Sequence, residues 1–349
     1  MADTIRTLVA QYFQLVDPPH LALPPGNVLK PPEVQTALYE RMFNETLTPL
    51  PPGSYRSRVL KLILARIEEA ITDPDEDEIL DDLMDSWGNL IAQPKPTALQ
   101  QAQELSHVKY TAPLQSHSPT SPDRTVTTSE SRGLILSGGT TGFRTWEAAL
   151  HLGSFLASPA GEALVRGKRV IELGAGTGFL SLFCARHLGV QGVVSTDREP
   201  ALIENIRECV CLQFNTKTSE AGSEAIPIYP AVWDWGTPLE STGELARFME
   251  NDGLRFDVAL GADLIYDTDL VPLLLSTVRD LFENYHVEQF IIAATLRNED
   301  TFQTFLDGCE TNTFTVERIP FESTPAEEQT GFFHSTSIPI RTYRISRVK

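Results

Sequence analysis

Five short apolar runs alternate with helical stretches in the second half of the chain, and this alternation limits the possible folds more than any other feature. The runs are Arg169-Val-Ile-Glu-Leu, Gly192-Val-Val-Ser-Thr, Ile226-Pro-Ile-Tyr-Pro-Ala-Val, Phe256-Asp-Val-Ala-Leu-Gly-Ala and Gln289-Phe-Ile-Ile-Ala-Ala-Thr. Near-continuous apolar strands separated by helices predict a parallel sheet covered on both faces, with ligands at the carboxyl ends of its strands. Two later β-rich runs, Phe314-Thr-Val-Glu-Arg-Ile and Ile338-Pro-Ile-Arg-Thr-Tyr-Arg-Ile, have no helical pattern between them and are expected to close the sheet as an antiparallel pair. The expected class is α/β: a doubly wound seven-stranded sheet with an N-terminal helical domain.

Residues 1–107 read as that helical domain. Apolar residues recur at helical intervals, most clearly from Tyr55 to Ile71, where Val59, Leu62, Ile63, Arg66, Ile67 and Ala70 are expected on one side. Proline joints at Pro18-Pro19, Pro24-Pro25, Pro31-Pro32, Pro49 to Pro52 and Pro94 to Pro96 interrupt the pattern, because proline cannot continue a helix and biases its predecessor toward extended backbone. The acidic stretch Asp73 to Asp85 keeps Ile79, Leu80, Leu83 and Met84 in helical register and reads as a solvated helix face. Residues 108–132 turn rich in Ser, Thr and Pro, as a surface connection does, although Val108-Lys-Tyr-Thr and Thr125-Val-Thr-Thr have the β-branched content of a strand pair. Residues 133–349 then carry the sheet.

Composition removes several function classes. A chain of 349 residues, 41% hydrophobic and 21% charged, is not disordered throughout. No run approaches the ~18 apolar residues of a membrane helix, and the N-terminus lacks a signal-peptide architecture, so the chain is expected in the cytoplasm and off the membrane. Cys184, Cys209, Cys211 and Cys309 have neither disulfide-scaffold density nor zinc-site spacing; they read as reduced thiols, with no metal expected. With 28 basic against 47 acidic residues the net charge is −19, which repels a phosphate backbone, favours a basic partner and argues against direct nucleic-acid binding.

The strongest local signal is Glu172-Leu-Gly174-Ala175-Gly176-Thr-Gly178-Phe, between the first strand and a helix from Leu180 to His187. Glycines let the backbone turn tightly and approach a ligand, while the helix behind offers unpaired N–H groups. A dinucleotide fingerprint would need a glycine where Phe179 stands. Asp197 ends the second strand, where a carboxylate can accept from a ribose diol or cap the next helix. After the third strand, Trp233-Asp234-Trp235-Gly236 offers an aromatic face for a purine and a carboxylate for its exocyclic amine; either indole is a candidate, with Trp235 favoured.

Together these residues resemble the class I, seven-β-strand S-adenosylmethionine-dependent methyltransferases, which have a Rossmann-like fold, over roughly Gly133 to the end. The resemblance implies cofactor contacts at Glu172, Gly174, Ala175, Gly176, Gly178, Asp197, Asp234 and Trp235. Two further segments are more specific: Ser137-Gly-Gly-Thr-Thr-Gly-Phe-Arg-Thr-Trp146-Glu-Ala-Ala before the first strand, and Gly261-Ala262-Asp263-Leu-Ile-Tyr266-Asp267 after the fourth. With Leu296-Arg-Asn-Glu-Asp and the helical N-terminal domain, they resemble methyltransferase family 16, and within it the protein-lysine methyltransferases of elongation factor 2. That likeness implies Trp146 and Ala262 at the cofactor, Asp263 and Tyr266 at the chemistry, and elongation factor 2 as substrate; a monomer is expected.

Methyl transfer to lysine needs the neutral amine, whereas free lysine titrates near ~10.4. An aromatic channel lowers that value, and a carboxylate holds the ammonium before its proton leaves. Tyr266 is expected to line such a channel, and Asp263 to anchor the cofactor or the target side chain. Arg144 and Arg297 read as solvated surface cations, and the loop Phe321 to Ser337 as target-facing. Competing readings keep the cofactor and change the acceptor to another protein, RNA or a small molecule, or make the chain a non-catalytic scaffold.

Overall fold

The computed structural model describes residues 5–73, 77–94, 97, 104–114, 122–131, 140–214, 227–240, 244–248 and 253–347. Its contacts divide the chain into two compact units, one drawn from Met1–Thr111 and Glu130–Leu134, the other from Ala112–Ser129 and Ile135–Lys349. Among the described residues no helix is long and apolar enough to cross a membrane.

The first unit is helical around a core of Leu8, Tyr12, Phe43, Val59, Leu60, Ile63 and Ile67. Its longest helix, Gly53–Glu68, buries Arg56, Val59, Leu60, Ile63, Leu64 and Ile67, a stripe at helical spacing. The expected face is rotated: Leu62 is 37% exposed and Arg66 is exposed too, while Leu60 and Leu64 take their places inside. The pattern allowed either stripe, and packing chose the one that brings Tyr55 and its hydroxyl to the Val16 carbonyl at 2.7 Å.

The acidic stretch also departs from expectation, since its helix begins only at Asp81 and runs to Ala92. Gln35, almost fully buried, explains the delay. Its Nε2 donates to the carbonyls of Lys30 and Glu78, and its Oε1 accepts from Leu80 N–H at 2.9 Å. Those bonds hold residues 78–80 extended, with Leu80 at ψ 128°. Leu83 is buried and Met84 exposed. Residues 74–76 of the stretch lie outside the described residues.

β1 (Leu105–Thr111) and β2 (Thr125–Ser131) make a two-stranded sheet. Seven further strands build the main sheet: β3 (Arg169–Leu173), β4 (Gly192–Asp197), β5 (Ile228–Val232), β6 (Val258–Ala262), β7 (Gln289–Thr295), β8 (Phe314–Ile319) and β9 (Ile340–Arg347). Their order is β5-β4-β3-β6-β7-β9-β8. β3 pairs in parallel with β4 and β6, as do β4 with β5 and β6 with β7. β9 runs antiparallel between β7 and β8. The chain reverses its direction of winding between β3 and β6, the switch point where an open α/β sheet leaves a crevice at its carboxyl edge.

Apolar residues on the strands, Ile171, Val194, Ala259, Phe290 and Ile292, pack with Leu274, Val278, Leu281 and Phe305 from the covering helices Val271–Asn284 and Glu299–Thr311. The loop 321–337, expected to face a target, divides between residues packed onto this unit and exposed ones. Phe332 is fully buried, edge-on to Phe179 and Phe183 at centroid distances of 4.9 and 5.1 Å. The buried Gln329 ties the loop to itself through Thr324 and His334. Glu322, residues 324–328 and residues 335–337 of the loop are exposed. Its aromatic residues are explained by packing, which a sequence reading limited to local periodicity does not foresee.

Candidate active site

The chain leaves β3 at Leu173 and turns through Gly174–Gly178 into the helix Phe179–His187. Gly174 has φ +57°, and a Cβ there would stand 2.6 Å from Leu264 Cδ2 and 3.5 Å from Trp235 Cζ2. Gly176 has φ +53°, and its Cβ would meet the Gly142 carbonyl oxygen at 3.0 Å. Backbone of that sign and clearance of that size suit glycine alone. Ala175 lies between them with its N–H on the Thr196 carbonyl at 2.8 Å, and Gly178 stands at the start of the helix.

Asp197, the last residue of β4, is bonded to this loop: its Oδ2 accepts from Gly176 N–H at 3.0 Å, and its Oδ1 from Glu199 N–H at 3.2 Å. Burial raises its carboxyl above the ordinary value while these amides pull it back. The carboxylate keeps acceptor capacity for a ligand donor.

Glu172 lies behind the loop rather than on its open side. It is 3% exposed, and its Oε2 accepts from both the N–H and the hydroxyl of Ser181. Burial pushes its carboxyl up to about 8. A carboxyl raised on folding stabilises the native chain below its unfolded value, and that stability is lost as pH rises through the folded value. Thermal melts of the native chain are therefore expected to fall between about pH 5 and pH 8, with a slope of at most about 1.4 kcal/mol per pH unit from this group. Glu172→Gln keeps an acceptor for Ser181 and removes the ionisation. Its melts should lack this component, and an unchanged slope would disprove the assignment.

The two indoles separate. Trp233 is 3% exposed, donates from Nε1 to the Thr237 carbonyl at 2.9 Å and packs against Tyr285, all in the core. Trp235 is half-buried beside Gly174, and Asp234 is exposed next to it. Trp146 opens the helix Glu147–Ala157 and donates from Nε1 to the Thr141 carbonyl at 3.2 Å. Thr145 and Thr177 join hydroxyls at 2.7 Å, so the segment 140–146 lies against the glycine loop. Residues 137–139 of its Ser-Gly-Gly opening lie outside the described residues.

Ala262 ends β6, and Asp263 follows at φ +53° with its N–H on the Ala293 carbonyl at 2.9 Å. The Asp263 carboxylate does not cap a helix. It accepts from Thr295 N–H at 2.9 Å, Thr295 Oγ1 at 3.1 Å and Arg297 Nη1 at 3.3 Å, bracing the ends of β6 and β7. Tyr266 does not close the strand as a packed aromatic either, being 63% exposed. Partial burial of its hydroxyl and the nearby Asp197 charge push its titration up, so it remains a phenol at working pH.

Arg297 is exposed, as expected from sequence, and Arg144 is partly buried, but both are also partnered. Both guanidinium carbons lie 5.2 Å from the Trp146 ring centroid. Arg297 also pairs with Glu147 at 2.8 Å and with Asp263. Sequence reasoning missed them because their partners are distant along the chain; the position of Arg144 two residues before Trp146 was the only local sign. The structure thus brings Gly174–Gly178, Asp197, Trp235, Trp146, Asp263 and Tyr266 to the carboxyl edge of the sheet, with Glu172 supporting from beneath.

A family model described as lysine methyltransferase matches residues 136–312. A protein-lysine N-methyltransferase EFM3 from Chaetomium thermophilum is 39% identical over 338 residues, 97% of this chain and 96% of that one. The chain belongs to the lysine methyltransferase family. EFM3 from Saccharomyces cerevisiae is 29% identical over 246 residues, covering 67% of this chain and 64% of that one. The protein-lysine N-methyltransferase EEF2KMT of Homo sapiens is 30% identical over 184 residues, 52% of this chain and 53% of that one. The sheet is the doubly wound, Rossmann-like one expected, and the enzyme is a protein-lysine methyltransferase whose methyl donor is S-adenosylmethionine. The residues present fit that donor: a glycine turn without room for side chains, an indole beside it and a half-buried carboxylate at the next strand end.

Proposed function

We propose that this lysine methyltransferase modifies a lysine of translation elongation factor 2. The convergence of the glycine turn, Asp197 and the exposed Tyr266 at one sheet edge carries the reading of the site. Likeness to the chain named EEF2KMT, and the Leu296-Arg-Asn-Glu-Asp and Thr-Trp-Glu-Ala-Ala motifs, support the target. When bound, S-adenosylmethionine supplies a methyl group on a sulfonium, open to in-line displacement by an amine.

In this reading Gly174, Ala175, Gly176 and Gly178 line the methionine part of the donor, Asp197 accepts from its ribose, and Trp235 with Asp234 frames its purine. Trp146 and Ala262 complete the wall, with Glu172 holding the turn from behind through Ser181. Tyr266 stands at the mouth, where its ring guides the lysine stem and its neutral hydroxyl orients the amine. Because that hydroxyl titrates above its ordinary value, it is not the base. The proton leaves to water as the lysine moves out of solvent, which favours the neutral amine. Asp263 works mainly through its neighbours, three of its acceptor sites being taken by Thr295 and Arg297.

The helical unit serves target recognition, the enzyme acting as a monomer in the cytoplasm without a nucleic-acid partner. Incubation with labelled donor and purified unmethylated elongation factor 2, beside a cell lysate, tests the reading. Label on a lysine of factor 2 supports it. Label on a different protein or on RNA, with factor 2 unlabelled, overturns it.

A further inference from the structure

Leu296-Arg-Asn-Glu-Asp follows β7, and most of its polar residues are explained by the helix they open. Asn298 accepts from Asp300 N–H at 3.0 Å and Thr301 N–H at 3.2 Å, capping Glu299–Thr311. Glu299 and Asp300 supply negative charge to its first turn. Arg297 takes no part in that cap.

Its guanidinium instead joins three elements. Nη1 reaches Asp263 Oδ2 after β6 at 3.3 Å, Nη2 reaches Glu147 Oε2 at 2.8 Å, and the group lies 5.2 Å from the Trp146 ring. Asp263 needs such restraint. Its left-handed backbone, which Asp tolerates better than most residues with a side chain, is held here by surrounding bonds. Three of those bonds come from Thr295 and Arg297. Tyr266 is three residues further along the same loop.

We propose that Arg297 is a positioning residue for methyl transfer, locking the β6–Tyr266 loop to the start of the Trp146 helix. It rests on the reading of Tyr266 as the channel wall. The planar fork matters as much as the charge: one guanidinium serves two carboxylates on separate elements, whereas a lysine ammonium is a single point donor group. Arg297 is itself 40% exposed along its side chain, so its removal leaves no buried cavity.

The test compares Arg297→Met, Arg297→Lys and the native enzyme. Rates are measured on whichever lysate protein the native enzyme labels, affinity by calorimetry with S-adenosylhomocysteine, and backbone mobility by amide hydrogen exchange. Arg297→Met is expected to lower kcat by about 30-fold, the scale of a small misplacement of reacting groups, with product affinity changed less than about 3-fold. Exchange should quicken at residues 263–266 and 146–148. Arg297→Lys should fall between. In a double-mutant cycle, Glu147→Gln should add little to Arg297→Met, because the two share one contact. Native kcat in Arg297→Met, an equal loss of product affinity, or unchanged exchange in both variants would overturn the proposal. Exchange requires no acceptor, so it judges Arg297 even where the target or Tyr266 reading fails, and Arg297→Lys covers the case in which the Met variant does not fold.

Discussion

Asp197→Ala is expected to weaken binding of S-adenosylhomocysteine by about 100-fold. Two charge-assisted hydrogen bonds to a ribose diol, each worth about 1.5 kcal/mol, give about 3 kcal/mol, and each 1.4 kcal/mol is tenfold. A second effect works in the same direction. The carboxylate holds Gly176 N–H at 3.0 Å, so its removal also releases the glycine turn that lines the site. Asp197→Asn separates the two contributions, because its amide oxygen can still accept from Gly176 while the charge is gone. It should lie between Ala and the native residue in calorimetry. Native affinity in the Ala variant would remove Asp197 from the donor site altogether.

Tyr266→Ala should show the opposite profile: kcat lower by about 100-fold, with product affinity and melting temperature close to native. The side chain is 63% exposed, so its loss opens no cavity in the core. What it loses is the wall that holds an amine in line, and misplacement of a reacting group by about 1 Å can cost 10²-fold. Tyr266→Phe asks how much belongs to the hydroxyl. A ring-only role predicts a small change, and an orienting hydrogen bond a loss of about tenfold. Parallel losses of rate and affinity in Tyr266→Ala would count against the channel and move Tyr266 into the donor pocket.

What the sequence made legible was local. The strands β3 and β7 could be read almost to the residue because each is an apolar run bounded by a helix or turn, β8 because of its β-branched and aromatic residues after a helix, and the glycine turn because its residues are consecutive. The closing antiparallel pair followed from the absence of a helical pattern between its runs, and β9 indeed lies next to β8. What stayed hidden depends on contacts distant in sequence. Arg297 meets Glu147 150 positions away and Asp263 34 away, and nothing in Leu-Arg-Asn-Glu-Asp announces either. The Gly53–Glu68 helix shows a subtler limit, since two apolar stripes compete on one helix and only tertiary packing selects between them. Gln35 shows another: a single buried amide overrides the helical register of the acidic run. Sequence favoured Trp235 over Trp233 without excluding either, and the structure separates them by burying Trp233, whose indole donates to the Thr237 carbonyl.

The place of β9 bears on how this protein is made. Of the seven strands it is the last in the chain, yet it is inserted between two that precede it. On a ribosome β8 therefore emerges with no neighbour to pair with, and the helix after the glycine turn emerges long before Phe332 arrives to cover Phe179 and Phe183. A nascent chain halted before residue 321 would carry an open strand edge and bare phenylalanines, the kind of surface that chaperones bind. Synthesis of β9 and of Phe332, not emergence of the glycine turn, is then the point at which both exposures can be covered.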